Sequence, residues 1–102
     1  MTQILEMETN EIEVPKEMLT KVPKQKKAMA YALSRNTLGI AFKPNRDWAN
    51  KSLWKGEIEL KETETSIIAI LPKSVSSFYQ IKPSNITISV AQKTNTLMIN
   101  IS

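Results

Sequence analysis

Cysteine and histidine are both absent from the 102 residues, and glycine occurs only at Gly39 and Gly56. Without cysteine there are no disulfides, thiolate zinc sites, iron–sulfur ligands or cysteine nucleophiles. Without histidine the chain lacks the one side chain that titrates near neutrality unaided, and with it every Ser-His-Asp arrangement and every imidazole metal site. Two isolated glycines cannot form the glycine-rich loops that wrap nucleotide phosphates, so no nucleotide cofactor is implied. No apolar run approaches the roughly 20 residues a helix needs to cross a bilayer. The N-terminal MTQILEMETNE carries acids where a signal peptide needs bases followed by an apolar stretch. These absences predict a cytoplasmic, non-membrane, non-enzymatic protein with no cofactor, no metal and no catalytic residues.

What is present is an ordinary globular balance of 41% hydrophobic and 24% charged residues. At this length that suits one core, and residues 1–102 are read as a single domain, with 1–10 expected to be loose. The net charge of +4 is unevenly spread. Met1–Val14 holds four acids and no base, whereas Pro15–Lys55 holds ten bases against Glu17 and Asp47. From Gly56 onward four acids balance four lysines.

Alternation of apolar and polar residues with a period of two marks half-buried strands. Ile86, Ile88 and Val90 alternate in this way, as do Leu97, Ile99 and Ile101 beyond a polar turn at 92–96, which predicts an antiparallel hairpin. Trp54, Ile58 and Leu60 form the apolar side of a further strand, and the β-branched run Ser66–Leu71 suits a central one. Between these two, Glu62–Thr65 reads as a turn, and Pro72 ends the second. Residues 26–34 suit either a helix, from their alanines, or the first strand of a hairpin turning at Ser34–Thr37, with Met29, Tyr31 and Leu33 and then Leu38, Ile40 and Phe42 as its apolar residues; the hairpin is favoured, and Leu38–Phe42 is a strand under either reading. Short helical turns are expected after Pro15 and around SVSSFYQI before Pro83. The predicted fold class is therefore mainly β, with α+β as the alternative: one small antiparallel sheet folded into a sandwich or half-barrel, with one or two short helices.

Carboxylates spaced two apart, as in Glu57 and Glu59, would share a strand face as a catalytic pair must. Here they alternate with apolar residues and are flanked by Lys55 and Lys61, the pattern of a solvated face. Asp47 is read as a turn former in a basic loop. The segment KPNRDWANKSLWK interleaves cations with tryptophans downstream of KVPKQKK, the combination with which nonspecific single-strand binders neutralise phosphates and stack bases. The expected nucleic-acid contacts are Lys24, Lys26, Lys27, Lys43, Arg46, Lys51 and Lys55, with Trp48 as the stacking residue. A structural account stands beside this one, in which Trp54 is core, Trp48 covers the sheet edge and the lysines solvate loops. The acidic leading segment could also fold back over the lysines and cancel their field.

The leading functional expectation is a small binding module for a polyanion, nucleic acid above other acidic surfaces. The alternative is a protein–protein module, such as an adaptor, an inhibitor or a subunit, that docks through a sheet edge or through Met98, Phe78 and Tyr79. Homo-oligomerisation through an edge strand is a third reading.

Overall fold

In the computed structural model, residues 9–76, 79–82, 84–91 and 93–102 are described. Among the described residues seven strands run in chain order as β1 (Glu11–Pro15), β2 (Lys27–Ser34), β3 (Thr37–Ala41), β4 (Trp54–Glu62), β5 (Ser66–Ile70), β6 (Ile86–Ala91) and β7 (Thr96–Ile101). Two short helices interrupt them, α1 (Arg46–Lys51) and α2 (Lys73–Ser76), and Lys16–Met18 forms a 3₁₀ turn. No described helix is long and apolar enough to cross a membrane.

All strand pairings are antiparallel, in the order β1-β5-β4-β2-β3-β7-β6. The sheet curls towards closure, leaving β1 and β6 as edges on either side of a gap lined by Glu11, Glu13, Ile68 and Ile86. Its concave side is the core. The predicted apolar rows of the last hairpin lie directly opposite one another, Ile86 against Ile101, Ile88 against Ile99 and Val90 against Leu97. Leu38 and Ile40 of β3 continue two of these rows across β7. Ile12, Val14, Ile58 and Ile67 close the other side, with Leu71, Val75 and Ile81 filling from the connections. Such fully buried aliphatic side chains each contribute about 1.5–3 kcal/mol of transfer free energy.

Residues 27–41 are the favoured hairpin, and Leu38 and Ile40 of its second strand face the core as expected, but the faces of its first strand are reversed relative to the sequence expectation. Ala28, Ala30 and Ala32 point into the core, where the narrow interior suits small side chains, while Met29 and Tyr31 face outward. Tyr31 is nonetheless buried, because α1 lies over it. This helix occupies what reads in the sequence as a basic loop. Asn45 caps it by accepting from the Trp48 amide at 3.1 Å, and Asp47 in the first turn and Lys51 in the last complement its dipole. The phenolic oxygen of Tyr31 accepts the Asn45 amide at 3.2 Å, which seats the cap on the sheet.

Both glycines serve close approach rather than unusual dihedrals, since neither has a positive φ. A Cβ on Gly39 would lie 2.7 Å from Trp48 Cζ3, and one on Gly56 would lie 2.6 Å from Trp54 Cζ2, so each indole rests on bare backbone. Gly39→Ala is therefore expected to displace Trp48 and cost about 1–3 kcal/mol. Thermal melts of Gly39→Ala, Trp48→Ala and the double variant check this. The double variant should lose little more than the worse single, as sites in direct contact do.

Tyr79, expected to be a spare apolar residue, is instead buried, and its hydroxyl donates to the carbonyl oxygens of Ser34 and, at 3.0 Å, Thr37. Burial pushes its pKa above the ordinary phenol value, which keeps it a donor. Of the loose stretch expected at 1–10, residues 1–8 lie outside the described residues, and Thr9 and Asn10 are tied down. The Thr9 amide donates to Ile81 O at 2.8 Å and Asn10 Nδ2 donates to Leu71 O at 3.0 Å. Phe78, Pro83 and Gln92 also fall outside the described residues.

Candidate anion-binding cleft

Four lysines converge where three distant parts of the chain meet. Lys21 and Lys24 come from the connection between the 3₁₀ turn and β2, Lys43 follows β3, and Lys93 lies in the β6–β7 turn. Together they line an open cleft of 410 Å³, and no aspartate or glutamate is among the described residues lining it. The volume lies in the range of small-ligand sites.

Two side-chain amides hold the connection in place. Asn95 adopts φ 52°, a left-handed conformation that asparagine tolerates better than most residues, and this lets the β6–β7 hairpin turn back sharply. Its Nδ2 donates to Lys21 O at 2.9 Å, which joins the turn carrying Lys93 to the connection carrying Lys21. Gln25 Nε2 donates to Phe42 O and fastens the same connection to the end of β3, beside Lys43. Further along, the Leu60 amide donates to Lys26 O at 2.7 Å and anchors the connection to β4. The Asn95 Oδ1 atom is buried with no hydrogen-bond partner among the described residues. Phe42 is half-buried against the core and also lines the cleft, adding an aromatic residue to the four lysines there.

The residues expected to touch nucleic acid divide into groups. Lys24 and Lys43 are in the cleft, alongside Lys21 and Lys93. Lys26 lies in an adjoining groove with Glu59, Lys61 and Glu62, where charges of both signs mix. Lys27 pairs with Glu57 across the outer face at 3.3 Å. Arg46 and Lys51 are exposed at the two ends of α1, and Lys55 is exposed on β4 opposite Tyr31. Trp48 stacks edge-on with Tyr31, ring centroids 5.8 Å apart, and packs onto Gly39. Trp54 lines the core side of β4.

Lys93 sits in the electrically balanced C-terminal half, so local charge counting passes over it; only the hairpin pattern, which puts 92–96 at a strand end, signals that it can meet residues from elsewhere. Phe42 stands one residue before Lys43 and reads in the sequence as part of a strand's apolar side. Of the four acids before Pro15, Glu11 and Glu13 lie on β1, where Glu13 accepts from Ser66 Oγ at 3.1 Å, and neither lines the cleft. Glu6 and Glu8 lie outside the described residues.

Chemically, four ammonium groups without a lining acid create a positive local potential that attracts anionic oxygens. Lysine acts there as a strongly hydrated point charge with three donors, suited to phosphate oxygens in varied geometry. Compared with known protein families, curated proteins and solved structures, the chain matches none.

Proposed function

We propose that this protein is a non-enzymatic module that binds a polyanion, most favourably single-stranded nucleic acid, in the four-lysine cleft. The observation that carries this is the convergence of Lys21, Lys24, Lys43 and Lys93 with no acid among the lining residues. Surface charges are ordinarily interspersed by sign. A same-sign cluster costs repulsion, which phosphates relieve, and its ammonium groups release cations condensed on a nucleic-acid backbone, with a gain of entropy. Phe42 favours nucleic acid over a simple polyphosphate or acidic peptide, because a ring among cations offers a base a face on which to stack. Trp48 serves mainly to fix α1, and through it Arg46 and Lys51 remain available as outlying phosphate contacts on the sheet's outer face.

Fluorescence anisotropy with labelled DNA and RNA oligonucleotides tests this. Binding is expected at about 50 mM salt and should weaken linearly on a log–log plot as salt rises. Absence of binding to both at that salt overturns the proposal. Phe42→Leu, which keeps the apolar packing and removes the ring, should weaken single-strand binding by about 1–3 kcal/mol and leave the salt slope unchanged.

A further inference from the structure

The two sheet edges are guarded very differently. β1 carries Glu11 and Glu13 on its solvent side and ends at Pro15, so a copy of itself laid alongside would meet like charges and a missing donor. β6 has neither device. Its sequence ITISVA contains no charge, proline or glycine and is dominated by residues that favour strands. Among the described residues no strand pairs with its outer edge, and only Ile86, its first residue, lines the gap towards β1. Ile86, Ile88 and Val90 belong to the core face yet are only half-buried, with no described strand beyond them.

We infer that β6 is a self-association edge, and that its occupant is β6 of a second copy, antiparallel across a two-fold axis at Ile88. The occupant follows from self-complementarity. An uncharged strand with strict alternation pairs with its own copy at no electrostatic cost, and an isologous contact closes after two chains. The register follows from side-chain parity. Aligning all six residues would set Ile88 against Ser89 of the partner subunit and place apolar side chains on the polar face. An axis at Ile88 sets Ile88 against itself and Ile86 against Val90 of the partner subunit, keeping the core face apolar. Leu38, Ile99 and Ile88 already form one cross-strand row, which this axis continues unbroken into the second subunit. Few residues are paired, so the dimer is concentration-dependent. It is independent of nucleic acid, because the cleft lies beyond the far end of β6, at the β6–β7 turn.

The natural absence of cysteine makes the test direct. Directly opposed residues of an antiparallel pair have Cα atoms about 4.5–5.5 Å apart, within disulfide reach. In the full chain without nucleic acid, Ile88→Cys is expected to form a disulfide-linked dimer under mild oxidation, while Ser89→Cys, although more exposed, forms it at least about tenfold more slowly because it lies off the axis. The unsubstituted protein should sediment as a monomer–dimer equilibrium. Equal crosslinking of the two variants, or a monomer persisting up to about 1 mM protein, overturns the inference.

Discussion

Replacing Lys24, Lys43 and Lys93 together by glutamine is expected to lower oligonucleotide affinity roughly a hundredfold at low salt and to reduce the salt slope by about 2, near 0.7 for each single-strand phosphate that is no longer neutralised. Glutamine keeps much of the side-chain length and removes the charge, and all three positions are exposed, so the fold should be unaffected. A matched triple variant of Arg46, Lys51 and Lys55 removes the same net charge from the outer face. If the cleft is the site, the first variant loses far more affinity than the second at equal net charge. Equal losses would mean that only total charge matters and would remove the cleft from the account. Anisotropy titrations at four or five salt concentrations supply both the affinity and the slope.

The largest effect on stability is expected at Ile99. Its side chain is 0% exposed and lies between Leu38 and Ile88 in the row that crosses β3, β7 and β6. Ile99→Ala removes three carbons where three strands meet and should cost about 2–5 kcal/mol, transfer and cavity terms together. Against a total of about 5–15 kcal/mol for a domain, that is a large fraction of the whole. A fall in Tm of roughly 10–20 °C should accompany it. Met98, its neighbour in sequence, points to the opposite face and is 37% exposed, so Met98→Ala should stay within about 1 kcal/mol. Urea unfolding of the two variants measures the contrast; a shift in midpoint at constant slope assigns the loss to the native state.

Much of the fold is legible from alternation alone. Ile86, Ile88 and Val90 pair with their partners on β7 as the pattern predicts, because period-two alternation is a local property that one buried face imposes directly. Residues 27–34 show where that signal fails. Their sequence is apolar on both faces, so it does not say which side is core, and tertiary context decides: alanines fit under the curled sheet, and Tyr31 faces out to receive Trp48. The helix α1 is not legible because six residues are too few to show a helical period, although Asn45, Asp47 and Lys51 stand where a cap and dipole-matched charges belong. The cleft is half visible. Lys24 and Lys43 fall within a basic segment, whereas Lys93 is brought to them by the pairing of β7 with β3 and by the bond from Asn95 to Lys21, between residues 74 apart in the chain. Nothing counted along the sequence anticipates a bond of that span.

The amide clamps have a thermodynamic corollary. By holding four lysines from three chain segments around one cleft of 410 Å³, they make the native fold carry an electrostatic load that an unravelled chain spreads out. Whatever anion settles there relieves this load while engaging an array that only the native chain assembles, so occupancy and folding reinforce one another by mass action. On the proposed function, the tie between the Asn95 turn and the Lys21 connection is one place where anion binding couples to the stability of the sheet.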